Sequence, residues 1–179
     1  MLAFGLLHAI AAAASIGSIA IPSTTTAPKI DGTLSDPVWK KGAVVQLGYN
    51  LRSHSAATDK TTDYVLTDGT FLYVGIDAKQ SVPVRAQQHT NNVAPDTDDE
   101  VQVDLWPNGP SGFRYLFFCT ALGTHYQFSS ENNAYEPTWW SVGKLVDGGF
   151  TVTMKIPLSA LHSTSSGGWR IQFARLVMA

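Results

Sequence analysis

The densest concentration of ligand-type side chains is one stretch, Asn132-Asn133-Ala134-Tyr135-Glu136-Pro137-Thr138-Trp139-Trp140. Two amides, a carboxylate and three aromatic rings fall within nine residues. A flat ring can stack on the C–H surface of a pyranose, while amide and carboxylate groups hydrogen-bond its hydroxyls. This reading makes Tyr135, Trp139 or Trp140 a ligand platform, with Asn132, Asn133 and Glu136 as polar partners. The competing reading is packing: in a strand, adjacent residues point to opposite faces, so one of the two tryptophans must face the core. Trp106 is a second exposed-aromatic candidate, because it is out of phase with Val101, Val103 and Leu105.

The other chemistry-bearing groups are sparser. Asp96, Asp98, Asp99 and Glu100, with Asp104 nearby, form the largest local charge, and no cation occurs between Arg85 and Arg114. Carboxylates in such density suit a hard cation such as Ca²⁺, but the run lacks EF-hand spacing, and a solvated loop rim is the preferred reading. Glu131 and Glu136 could be nominated as a glycosidase pair, but such a pair needs a defined separation that the sequence does not set. There is no GxSxG, HExxH or P-loop. Cys119, the sole cysteine, sits in the apolar run Tyr115-Leu116-Phe117-Phe118-Cys119 and reads as a buried small hydrophobe rather than a nucleophile.

The elements that must position these groups alternate with period two. Leu72, Val74 and Ile76 alternate with Phe71, Tyr73 and Gly75, and Val101, Val103 and Leu105 with Gln102, Asp104 and Trp106. Phe150, Val152, Met154 and Ile156 alternate with Thr151, Thr153 and Lys155, and Ile171 and Phe173 with Arg170 and Gln172. Each run reads as a half-buried strand, and the apolar members form the expected core. Asp68-Gly69, Leu122-Gly123 and Asp147-Gly148-Gly149 divide the runs and predict three hairpins: 61–67 with 71–78, 113–121 with 124–129, and 141–146 with 150–157. Short helical turns are expected near 37–41, after an Asp36 cap, and at 159–161. Many short strands at this spacing predict an all-β fold, an antiparallel β-sandwich or barrel.

The chain has 179 residues, 12 Lys+Arg against 14 Asp+Glu and a net charge of −2, which excludes the basic footprint of a nucleic-acid partner. One cysteine excludes an intramolecular disulfide or a thiolate zinc cluster. No charged residue precedes Lys29. The apolar stretch 2–14 and the small-residue sites at Ala12-Ala13-Ala14 and Ser18-Ile19-Ala20 read as a secretory signal peptide over 1–20, cleaved after Ala14 or Ala20, although the n-region lacks a basic side chain. An uncleaved anchor is the alternative. Residues 21–28 read as a flexible leader and 29–179 as the sandwich. Export predicts a secreted, periplasmic or outer-membrane-associated protein.

Five segments occur in order: Ile30-Asp31-Gly32-Thr33-Leu34-Ser35-Asp36-Pro37-Val38-Trp39; Leu66-Thr67-Asp68-Gly69-Thr70-Phe71-Leu72-Tyr73-Val74-Gly75; Asp98-Asp99-Glu100-Val101-Gln102-Val103-Asp104-Leu105; Gly149-Phe150-Thr151-Val152-Thr153-Met154-Lys155-Ile156-Pro157; and Trp169-Arg170-Ile171-Gln172-Phe173-Ala174-Arg175. Together they resemble carbohydrate-binding module family 9, within the DOMON-like β-sandwiches. The resemblance implies a secreted, non-catalytic antiparallel β-sandwich of jelly-roll form that binds a saccharide or polysaccharide, often linked to glycoside hydrolases and polysaccharide breakdown. It is similar to the N-terminal modules of larger exported bacterial proteins, which makes a structural or docking module without its own sugar site the alternative. Family members also hold calcium in some cases.

Read from the residues themselves, Trp39 is core packing that plugs one end of the sandwich, and Trp169 and Arg175, flanking the last strand, are structural. The resemblance implies an aromatic clamp just before the Asp98–Val101 segment, where this chain has Ala94-Pro95-Asp96-Thr97 instead. Gln102 stands at the family's acidic position, and the arginine of the following strand is replaced within Leu116-Phe117-Phe118. The second clamp tryptophan falls past Ala179, so the resemblance implies a fold cut one or more strands short. Some DOMON-like sandwiches hold haem, for which Met154 with His125 or His89 would be the axial pair.

Overall fold

The computed structural model describes residues 17–51, 53–94, 97–164 and 168–178. Most of the expected signal peptide, including the site after Ala14, lies outside the described residues, as does Asp96.

The three expected hairpins form, and their pairing builds two antiparallel sheets. The strands are β1 (Ala43–Asn50), β2 (Ser55–Thr67), β3 (Phe71–Lys79), β4 (Glu100–Trp106), β5 (Tyr115–Thr120), β6 (His125–Ser129), β7 (Trp140–Val146), β8 (Gly149–Pro157) and β9 (Arg170–Leu176). A five-stranded sheet runs β1-β2-β3-β8-β7 and a four-stranded sheet runs β6-β5-β4-β9. Short 3-10 turns occupy Pro37–Lys41, capped by the Asp36 carboxylate at Val38 N–H, and Leu158–Ala160. The chain is therefore an antiparallel β-sandwich.

Period-two alternation sends one side of every central strand inward. Leu72, Val74 and Ile76 meet Val152, Met154 and Ile156 from the same sheet, and Val101, Val103, Leu105 and Phe117 from the other. Ile171 and Phe173 are only half buried, because β9 is the edge of the four-stranded sheet. Arg175 also points inward there; its guanidinium donates to Lys79 O, Thr61 Oγ1 and Gln80 Oε1, and lies over Phe150. β1 was not legible as a strand, because it too is an edge and no residue in it is fully buried.

Trp39 is buried in a hydrophobic cluster as expected, but its position differs. It covers the outer face of the five-stranded sheet instead of plugging an end of the sandwich. Leu66 and Tyr73 present apolar surface on that outer face, and Gly75 leaves a gap where a Cβ would sit 2.6 Å from Leu34 Cδ2 and 3.0 Å from Trp39 Cε3. The indole therefore lies directly on the strand. Burying such a side chain contributes about 1.5–3 kcal/mol.

Residues 21–24, at the start of the segment read as a leader, contact the sheet. Thr67 N–H donates to Pro22 O, Thr24 N–H donates to Thr67 O, and Ile21 packs against the main core.

Candidate functional site

Alternation divides the two adjacent tryptophans. Trp139 is inside, only 4% exposed: its indole N–H donates to Gln127 Oε1 at 2.9 Å, its edge meets Phe117, and His125 stacks on it at 4.4 Å. Trp140 starts β7 on the outer face and is 45% exposed. Tyr135 is drawn toward the core by edge contacts to Tyr115 and Phe117, and its hydroxyl donates to Ala160 O. Asn132 closes a local turn, its Oδ1 accepting from Ala134 N–H. Asn133 and Glu136 are exposed. The stretch is thus not one platform: Trp140 is its only widely exposed ring, and none of Asn132, Asn133 and Glu136 lines the cavity beside it.

The acidic run does not converge. Asp98 Oδ2 accepts the N–H groups of Gln87 and Gln88 at 2.6 and 2.7 Å. Asp99 accepts from Gln80 Nε2, Arg85 N–H and Met178 N–H, and Glu100 from Gln102 Nε2. Buried carboxylates need such donors, and these tie the 80–88 loop to the start of β4. Among the described residues no group of three or more His, Cys, Asp or Glu is placed to hold a metal ion, so Asp98, Asp99 and Glu100 are not gathered as the calcium reading requires.

Haem does not fit either. Met154 is fully buried in the packed core, His125 lies against Trp139, and His89 is on the surface. Burial pushes the Cys119 thiol up to about 12, which keeps it protonated and inert. Glu131 accepts hydrogen bonds from the Tyr115 hydroxyl and from His162 Nδ1, and these hold its carboxyl below the usual range. An ionised carboxylate of that kind is a poor general acid.

A second aromatic surface lies on the outer face of the four-stranded sheet. Register places Gln102 opposite Phe118, and Phe118 opposite Tyr126; Asp104 lies opposite Leu116, and Leu116 opposite Phe128. Phe118 and Tyr126 have ring centroids 5.9 Å apart, and Phe128 is 38% exposed. Across β4, Gln172 pairs with Asp104 and Ala174 with Gln102. Trp106 ends this face as alternation predicted, flanked by the guanidinium groups of Arg114 at 5.5 Å and Arg170 at 4.9 Å. Arg114 also grips the buried Asp104 carboxylate, with contacts of 2.5 and 3.1 Å. Burial raises the Asp104 carboxyl, and Arg114 opposes that shift. The face therefore combines rings with amide and guanidinium donors. Phe118, Tyr126 and Phe128 escaped sequence reasoning because only the β4–β5 and β5–β6 registers place them on one face with Gln102.

The fold defines a class: antiparallel sandwich modules of one five-stranded and one four-stranded sheet. The profile described as "Carbohydrate family 9 binding domain-like" matches residues 30–178, and the chain belongs to carbohydrate-binding module family 9. Two structures of a family 9 module from Caldicellulosiruptor kristjanssonii, in complex with cellotriose and with glucose, share 18% identity with it at a TM-score of 0.59. Those alignments cover 85% and 86% of this chain and 73% and 75% of theirs. A structure from Bacteroides uniformis, whose carbohydrate-binding assignment is itself provisional, shares 14% identity at a TM-score of 0.63, covering 87% of this chain and 81% of that one. No curated protein matches the chain.

Proposed function

We propose that this chain is a non-catalytic module of an exported protein, and that it holds a saccharide on the outer face of its four-stranded sheet. One observation carries the reading: the Phe118–Tyr126–Phe128 surface lies beside Gln102, the residue at the family's acidic position. Rings of this kind cover pyranose C–H faces, and Gln102, Gln172 and Arg114 can hydrogen-bond hydroxyls at the rim. Family membership, and the sugars bound by the C. kristjanssonii modules, support the same ligand class. The apolar N-terminal stretch supports export to the periplasm, outer membrane or medium, and a role in glycan capture or polysaccharide breakdown.

A docking role without a sugar site is the second reading. It is favoured by the absence of an aromatic in Ala94-Pro95-Asp96-Thr97, where the family clamp would stand. Calorimetric titration with cello- and xylo-oligosaccharides separates the two. Saturable binding that falls about tenfold in Tyr126→Ala, a loss of about 1.4 kcal/mol, is the expected result. No heat with any oligosaccharide leaves the docking reading.

A further inference from the structure

The seam on the other side of the sandwich carries a second set of ligand-type groups. β7 is the edge of the five-stranded sheet and β6 the edge of the four-stranded sheet. A hydrogen bond between His125 Nδ1 and Ser141 Oγ, 2.7 Å long, joins them. The strands can close on each other because Gly123 and Gly143 meet backbone to backbone, with no room for a Cβ on either. Beside this join lies an open cavity of about 480 Å³, bordered by Trp140, Lys155, Asn91, His125 and Ser141, within the size range of small-molecule sites.

The polar groups there have defined roles. Ser141 gives its one hydroxyl proton to Gly123 O at 2.7 Å, so it must accept from His125, which fixes the proton on Nδ1. Burial lowers the His125 pKa and keeps the ring neutral. Nε2 is then an acceptor for a hydroxyl. Asn91 uses its Oδ1 for the His125 backbone N–H, which leaves its amide NH₂ as a donor. The Lys155 ammonium rests 4.0 Å from the Phe71 ring centre and 5.0 Å from that of Trp140. No ion pair joins it to a carboxylate among the described residues. A cation held by rings alone retains hydrogen-bonding capacity for an anion.

We infer that this seam is a second saccharide subsite, selective for an acidic sugar: the Trp140 face stacks on the pyranose, Lys155 pairs with the uronate carboxylate, and Asn91 and His125 take hydroxyls. The inference rests on the sugar-binding reading only for the ligand class, since the groups belong to a different face. A neutral amide donor, a neutral ring acceptor and one unpaired cation around an exposed indole match a hydroxylated monoanion better than a peptide or a bare ion.

The test uses ¹⁵N-tryptophan-labelled protein, with the Trp140 indole signal assigned by Trp140→Phe. D-glucuronate is titrated alongside its methyl ester, glucose and acetate. Expected is a saturable Trp140 shift with glucuronate, about fivefold tighter than with the ester, as a charged hydrogen bond exceeds a neutral one. The shift should weaken with added salt, disappear in Lys155→Met and persist in Tyr126→Ala. No response at Trp140, an equal response to the ester, an equal response to acetate, or an unchanged response in Lys155→Met with native circular dichroism each overturns the inference. Loss of cello-oligosaccharide binding in Tyr126→Ala with the glucuronate response intact leaves both sites standing. Glucuronate binding without any neutral-oligosaccharide binding refutes only the four-stranded face.

Discussion

Asp63 offers a quantitative test of the packing. It lies on the inner side of β2, between Thr61 and Val65, and is 1% exposed. Both carboxylate oxygens are buried with no hydrogen-bond partner among the described residues. Burial alone pushes the carboxyl from 3.8 up to about 7. The folded protein then binds a proton between pH 4 and 7 that the unfolded chain has released, so stability falls as pH rises through that window and levels off above it. The gap from 3.8 to about 7 corresponds to about 4 kcal/mol at alkaline pH. About 2.5 kcal/mol of this develops between pH 5 and pH 8. Asp63→Asn has the same shape and no charge, so it should gain stability over the native chain by about 2.5 kcal/mol more at pH 8 than at pH 5. Urea unfolding of both proteins at the two pH values measures this double difference, in which every other titrating group cancels. An equal effect of the substitution at both pH values would refute the reasoning and mean that Asp63 finds a proton donor or solvent.

Three further outcomes follow from the division of roles. Trp139→Ala should cost about 3–5 kcal/mol in denaturant unfolding, whereas Trp140→Ala should cost less than about 1, because only the first ring fills the core. Asp99→Asn should destabilise by about 2 kcal/mol or more by weakening charge-assisted bonds to Gln80, Arg85 and Met178; a chelator should leave the melting temperature of the native chain unchanged, and a fall on chelation would restore a cation site. Cys119 should resist thiol reagents at pH 8 until the protein is unfolded, and rapid labelling of the native form would contradict its burial.

Much of the fold was legible in local chemistry. Leu72, Val74 and Ile76 or Val101, Val103 and Leu105 can alternate only as strands with one side buried, and Asp68-Gly69 can hardly be anything but a turn: Asp68 Oδ1 accepts the N–H groups of Thr70 and Phe71, and Gly69 has φ 84°. These signals are carried by neighbours in sequence, so they survive without knowledge of the partner strand. Edge strand β1 has no such signature, because neither of its sides is fully covered.

The site was decided by contacts between distant segments. Alternation requires Trp139 and Trp140 to part, yet which one enters the core depends on Gln127 and Phe117 waiting on the facing strands. The carboxylates of Asp98 and Asp99 read as a cation cage until the 80–88 loop folds over them and supplies backbone N–H donors. Phe118, Tyr126 and Gln102 come from β5, β6 and β4, and His125, Ser141 and Lys155 from β6, β7 and β8. Sheet register and the closing of β6 on β7 bring each set together, since those distances are set by the packing of the two sheets and not by spacing along the chain.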